Sequence, residues 1–333
     1  MDTVLTVTSA EEWKGITFDE AVPPIETATW KQDLADVHLM VLDSRDVLQA
    51  RCSLWWTAVP PHPSYRLGVI GHYAARTDDV AATLLREAFR LLKDNGCDYA
   101  VGPMNGSTWK SYRFVTDPGT EPPFFLEPVN PAEYPHQFVR AGFNVFAEYT
   151  SALSPSAMVG DGRIDKMGRR LEAIGVTTRP LDKDRLEDEI RAIYRASLTI
   201  FQDNLLYSPI SEEDFLDMYR PVLPMVQSDT ILLAEREGEL VGYVFGIPDV
   251  LQGLNGQKVD TLIIKTLARL PGPDYVGLGA VLAQRCEAIA SEQFGCHRII
   301  HALMHVNNAS LAISKRFAKT IRRYTLFGME ISS

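Results

Sequence analysis

The sequence predicts an α/β protein with mixed sheets, laid out as two successive copies of one unit. Three observations lead there. The chain has 333 residues, about twice the commonest domain length. The order strand, strand, strand, loop, helix, strand, helix, strand occurs twice, as a duplicated fold would give. Between the copies, Ser154 to Gly162 is rich in Ser, Pro and Gly and reads as a linker. The expected division is residues 1–155, a linker and connecting helix over 156–175, and 176–333.

In the first copy, Val37 to Leu42, Val47 to Trp56 and Arg66 to Tyr73 are β-branched and aromatic runs separated by polar turns, which predicts an antiparallel meander. A helix follows. Thr77 is its expected cap; Val80, Leu84, Leu85, Ala88, Leu91 and Leu92 recur at helical spacing, and Asn95-Gly96 ends it. Tyr99 to Val101 is a short strand that runs into Gly102-Pro103.

The second copy opens with a helix carrying Leu186, Ile190, Ile193, Tyr194 and Phe201 on one face, and a second one in which Ser211 and Asp214 form a capping box. Strands are predicted at Thr230 to Ala234, Leu240 to Ile247 and Thr261 to Leu270. A glycine loop, a helix from about Gly279 to Phe294, a strand from Arg298 to Met304, a helix from Ser310 to Phe317 and a strand from Tyr324 to Ile331 complete it.

Composition narrows the function. A net charge of -10 repels phosphate backbones and anionic lipid, so neither nucleic acid nor a membrane is an expected partner. The N-terminal residues lack a basic and then apolar leader, and no apolar run approaches membrane-spanning length, so a cytoplasmic location is expected. Cys52, Cys97, Cys286 and Cys296 are widely spaced, which predicts reduced thiols and no metal site.

The segment Thr266 to Ala280 carries the chemistry: a strand passes through Gly277 and Gly279 directly into a helix. Glycines let backbone N–H groups approach a ligand, and the helix N-terminus adds positive partial charge, which together suit a diphosphate. Asp274-Tyr-Val-Gly277-Leu-Gly279 resembles the Arg/Gln-x-x-Gly-x-Gly/Ala loop of the GNAT acetyltransferases, and the element order from about Val176 to Met329 is similar to theirs. Asp274 stands where that family carries Arg or Gln. The resemblance implies two tandem GNAT-like acyl-CoA N-acyltransferase domains, with acetyl-CoA or another acyl-CoA held by Leu267, Ala268, Arg269, Tyr275, Val276, Gly277, Leu278, Gly279, Ala280 and Asn307.

Asn307 is equally suited to capping a helix. Ser314 stands where the family often places a tyrosine that protonates the departing thiolate. Asp249, Asp260 and His305 are candidates to take the proton of the attacking amine, and backbone N–H groups near Leu267 to Arg269 are expected to hold the oxyanion. Phe201, Asp203 and Tyr207 are expected at the acceptor side, where aromatic and acidic groups would seat a small-molecule amine; core packing and plain surface are the other roles open to them. Lys315, Arg316, Lys319, Arg322 and Arg323 read as one solvated helix face. The first copy reaches its helix through Asp78 and Asp79 without a GxG, so a single acyl-CoA site is expected per chain, in a monomer or homodimer. The stretches Gly102-Pro-Met-Asn105 and Ala141-Gly-Phe143 tie that copy to GNAT-like proteins as well. The expected activity is transfer of an acyl group, acetyl in the first instance, to an amine. An inactive ligand-binding or sensor protein on the same fold, and a transferase drawing on aminoacyl-tRNA, are the alternatives.

Overall fold

The computed structural model describes residues 2–13, 15–155, 160–221, 227–307 and 318–331. The chain runs β1 (Thr3–Val7), α1 (Thr27–Asp33), β2 (Val37–Leu42), β3 (Leu48–Trp55), β4 (Leu67–Ala75), α2 (Asp78–Asp94), β5 (Tyr99–Gly102), β6 (Phe114–Asp117), α3 (Glu133–Arg140) and β7 (Asn144–Pro155). It continues through α4 (Gly162–Ala173), β8 (Thr177–Pro180), α5 (Leu186–Ile200), α6 (Glu212–Tyr219), β9 (Ile231–Arg236), β10 (Glu239–Pro248), α7 (Val250–Leu254), β11 (Thr261–Arg269), α8 (Leu278–Phe294), β12 (Arg298–His305) and β13 (Lys319–Glu330).

Each half follows from its apolar patterning. Val80, Ala81, Leu84, Leu85, Ala88 and Leu92 form the buried stripe of α2, which packs on β2, β3 and β4. Burial of each large side chain there stabilises the fold by about 1.5–3 kcal/mol. In the second half, Leu278, Val281, Leu282, Cys286 and Ala290 of α8 cover one face of β10 and β11. Ile190 and Ile193 of α5 cover the other, together with Phe215 of α6. The Ser211 cap forms: its hydroxyl accepts the Asp214 N–H at 3.1 Å. Thr77 occupies the N-cap of α2, but its side chain makes no capping bond.

Thirteen strands among the described residues form one sheet, in the order β1-β2-β3-β4-β5-β13-β7-β12-β11-β10-β9-β8, with β6 on β13. The two halves exchange strands at its centre. β13, last in the chain, pairs with β5 and β6 of the first half, while β7 of the first half pairs with β12 of the second. β7 and β13 also pair with each other from Lys319↔Leu153 to Gly328↔Asn144. Each half thus closes the other's open ladder, which leaves no unpaired edge between them.

This centre corrects several sequence expectations. Ser154 and Pro155 belong to β7, a twelve-residue strand, rather than to a linker. The last strand begins at Lys319, five residues before Tyr324. Lys319, Arg322 and Arg323 therefore lie on a strand and not on a solvated helix face. The Arg322 side chain is 4% exposed and pairs at 2.7 Å with Glu127, which is 2% exposed. Lys315, Arg316 and the helix predicted from Ser310 to Phe317 fall outside the described residues.

Candidate active site

The second half contains a wedge. β11 and β12 run parallel and pair only from Thr261↔Arg298 to Ile264↔His301. Beyond that point both continue, but each is held from its outer side, β11 by β10 as far as Arg269↔Gly242 and β12 by β7 as far as His305↔Tyr149. A bulge on each strand marks the parting. Phe245 faces Thr266 while Gly246 faces Ile264, so Lys265 is the extra residue of β11. On β12 the register slips between His301 and Met304, and Leu303 there has φ 58°. Bulges bend a strand and raise its twist, which turns the two strands away from each other.

At the far end of β11 the glycine loop delivers α8. Gly277 is its N-cap, with φ 89°, and no side chain caps the helix. Leu278 N–H is used by Tyr275 O at 3.1 Å and Val281 N–H by Gly277 O at 3.1 Å. Gly279 and Ala280 between them have no acceptor one helical turn back, as in the first turn of any helix. Three guanidiniums surround the loop. Arg269 donates to Leu270 O at 2.9 Å, Arg170 of α4 donates to Val276 O, and Arg236 of β9 pairs with Asp274 at 3.0 Å. The carboxylate that the sequence sets against a diphosphate is thus matched by a cation from the neighbouring strand. These groups fit a CoA diphosphate: donors at a helix start, a glycine in the left-handed region, and net positive side chains.

The other expected cofactor contacts lie along the same edge. Leu267 is partly buried toward the α8 side, Ala268 is buried toward the α5 side, and Tyr275 packs at the rim of the α8 core; Val276 is exposed. The unpaired edge of β11 begins at Lys265, two residues before the stretch expected to hold an oxyanion. Asn307 is exposed, and its N–H donates to His305 Nδ1 at 3.2 Å. Ser314 falls outside the described residues.

The candidate bases differ in surroundings. Asp249 is buried and accepts from Phe125 N at 3.0 Å and Leu251 N at 3.3 Å, the bonds of a cap on α7; burial raises its pKa. Asp260 is held by Gln252 and Thr261, and these hydrogen bonds lower its pKa. His305 stands at the end of β12 against the Tyr149 ring, 5.0 Å between centroids, and burial with nearby Arg113 lowers its pKa. Sequence reading passed over Lys265. This bulge residue donates to Leu126 O at 2.8 Å, and burial, with Arg113 adding to it, brings its pKa down to about 7. Arg113 itself lies between the Tyr112 and Tyr149 rings, 4.1 and 4.2 Å from their centroids. A lone lysine in a strand carries no sequence signal of this kind, because its neighbours Arg113 and Leu126 are distant in the chain.

Residues expected at the acceptor side meet the first half. Trp109 of the first half donates its indole N–H to Ser208 O at 2.8 Å and packs edge-on against Phe201, Tyr207 and Phe215. Phe201 and Tyr207 are partly buried in this cluster; Asp203 is exposed.

The first half has the corresponding wedge, and it is shut. β4 and β5 pair from Leu67↔Tyr99 to Val69↔Val101. The chain then turns back on itself, so that Met104 N–H bonds to Ile70 O at 2.9 Å and Asn105 Oδ1 accepts His72 N–H at 2.8 Å. His72, φ 46°, lies in the bulge of β4. A Cβ on Gly71 would stand 2.2 Å from Met104 O, which shows how closely the two backbones meet. Behind them Ser53, His72 and Asp33 are joined by hydrogen bonds of 2.8 and 2.8 Å, with His38 2.6 Å from Ser53. Ser53 is completely buried, so this relay is support for the closed wedge and not a nucleophile. At the start of α2, Asp78 pairs with Arg140.

Among the described residues, no cluster of metal-ligating side chains is present and no helix is long and apolar enough to cross a membrane.

Comparison with known proteins places this geometry. Residues 189–318 match the acetyltransferase (GNAT) family. A bacterial ceramide synthase of Caulobacter vibrioides is 25% identical over 235 residues, 68% of this chain and 60% of that protein. The chain therefore spans under two thirds of that relative. In structure it is similar to a probable N-acyltransferase of Enterococcus faecalis V583, with TM-score 0.59, 12% identity, and coverage of 99% of this chain and 73% of that one. It is also similar to a tandem GNAT protein of the clavulanic acid biosynthesis pathway, with TM-score 0.50, 10% identity, and coverage of 100% and 99%. A wedge between two parallel strands, opening beside a glycine-capped helix, lies inside the matched segment. Residues 189–318 thus carry the match to a GNAT acetyltransferase domain, on a large mixed α/β sheet of the kind found in tandem GNAT proteins.

Proposed function

We propose that the second half transfers an acyl group from acyl-CoA to the amine of a molecule with an apolar body. The observation that carries this reading is the wedge beside the uncapped start of α8. Acyl-CoA supplies the acyl group there as a thioester. Gly277, Gly279 and Ala280 with Arg236, Arg269 and Arg170 would hold the diphosphate end, and the open edge of β11 from Lys265 onward would hold the acyl end. The amine would enter from the side of Trp109, Phe201, Tyr207 and Phe215. That aromatic wall suits an apolar chain better than a polyamine. The name of the Caulobacter relative, a ceramide synthase, favours a long-chain amine over the small acetyl acceptor first expected.

In this reading a C–N bond forms as the C–S bond breaks, and the amine proton passes to Lys265 Nζ, neutral in part near pH 7, and from there to the departing thiolate sulfur. His305 lies on the opposite strand as a second proton acceptor. A panel of acyl-CoAs of increasing chain length against short and long-chain amines, followed by release of free thiol, tests the reading. Turnover with a long-chain amine is expected; binding of acyl-CoA without turnover for every amine would leave a ligand-binding protein instead. Lys265→Met should lower kcat by about a hundredfold or more, the usual contribution of a general base. In the unaltered chain kcat should rise with pH through about 7 as Lys265 loses its proton. A flat profile between pH 6 and 8 would exclude Lys265 from proton transfer.

A further inference from the structure

A cavity of about 290 Å³ lies in the first half, lined among others by Arg51, His72, Asn105, Ser111, Arg113 and Tyr134. We propose that it is a binding site for a small oxyanion, a carboxylate or phosphate group, separate from the acyl-CoA wedge.

Arg51 is the anchor. It projects from β3, where its Nε donates to Pro23 O at 2.7 Å and one Nη to the backbone oxygen of His72. Two neutral carbonyls fix the guanidinium without neutralising it, and no carboxylate pairs with it among the described residues. Burial accordingly lowers its pKa to about 10, and the groups that counter this are Tyr134 and Cys52. A partly buried cation without a paired carboxylate favours an anion beside it, and Arg51, whose Nε and Nη1 are held by carbonyls, lines the cavity.

The neighbouring groups are donors too. Asn105 spends its Oδ1 on His72 N–H, so its Nδ2 is left to donate. The Tyr134 hydroxyl, on another lining residue, can also donate. Ser111 adds a hydroxyl. Glu26 is the one carboxylate lining the cavity, and it is exposed to solvent. A guanidinium fixed in plane with amide and hydroxyl donors around it matches the oxygens of a carboxylate or phosphate.

The test is titration of the full chain with inorganic phosphate and, separately, with succinate, by calorimetry and by thermal melting. Arg51→Met removes the anchoring cation and leaves Arg113; Ser111→Phe narrows the cavity while leaving Arg51; Gly279→Glu blocks the loop before α8, where phosphate could also bind. Saturable binding that raises Tm, survives Gly279→Glu and weakens about tenfold or more in Arg51→Met and Ser111→Phe is expected. Binding of one anion alone identifies its class and supports the site equally. Absence of binding by both anions overturns the proposal, as does binding kept in Ser111→Phe or lost in Gly279→Glu. Should Arg51→Met fail to fold, Ser111→Phe and Gly279→Glu still decide.

Discussion

The two wedges of this chain start from the same plan and end in opposite states. In each, two parallel strands pair for a few residues, and a bulge follows on the first of them, at His72 in the first half and at Lys265 in the second. In the second half β11 and β12 are not paired with each other beyond Ile264↔His301. In the first, Met104 and Asn105 fold back and take the hydrogen bonds of Ile70 and His72. The helix that follows differs in the same sense: α8 starts at a left-handed glycine with no capping side chain, whereas α2 starts with Asp78 and Asp79 in its first turn. One wedge leaves its two strands unpaired with each other past that point. The other has satisfied its backbone groups internally, at a place where a fold of this kind would otherwise need a ligand or water.

Four changes would break or sharpen this contrast. Gly279→Glu should have the largest effect: by adding a carboxylate to the start of α8 it should reduce CoA affinity by about a hundredfold or more, and calorimetric stoichiometry should fall from one per chain to none. Residual binding at half the original heat would mean that the first half also takes CoA. Gly71→Ala comes next, with the opposite signature. Its Cβ would stand 2.2 Å from Met104 O, so overpacking should destabilise the chain by about 1–3 kcal/mol, read as a lower Tm, with CoA affinity at 25 °C retained.

Arg236→Ala leaves Asp274 without its partner beside the diphosphate. A half-exposed pair of this kind is worth about 0.2–1 kcal/mol, so CoA binding should weaken about two- to fivefold, and Asp274→Asn in the same chain should restore it. Failure of the second change to restore affinity would place the two residues outside the diphosphate's reach. Least of all should follow from Asp78→Asn with Asp79→Asn. Removal of both charges should leave CoA stoichiometry at one, because backbone and not charge closes that wedge; a second site appearing in the titration would show the reverse.

Much of the fold is legible in the sequence because it rests on local regularities. The stripe of α2, the Ser211 cap and the meanders of each half each depend on residues a few positions apart. Gly277 and Gly279 before an apolar helix announce α8 and its free N–H groups. The site is less legible, since its decisive neighbours are distant. Lys265 has a lowered pKa because burial in the folded chain, with the distant Arg113 adding to it, disfavours its charge, and Asp274 is matched by Arg236 only because β9 lies beside the loop. Asp249, a candidate base by sequence, caps α7 through Leu251 N–H and is also held by Phe125 N–H from the other half.

What the sequence by itself determined is the repeated order of elements, the mixed α/β class and the asymmetry between a glycine-bearing and an acid-bearing loop. These follow from residue periodicity and backbone freedom, which act over one or two turns. The tertiary structure alone decided that β7 and β13 change places, that Arg322 is buried against Glu127, and that Met104 and Asn105 seal one wedge while the other stays open. Strand exchange leaves no local mark, because a strand's pattern specifies which faces are buried and not which neighbour satisfies its backbone hydrogen bonds.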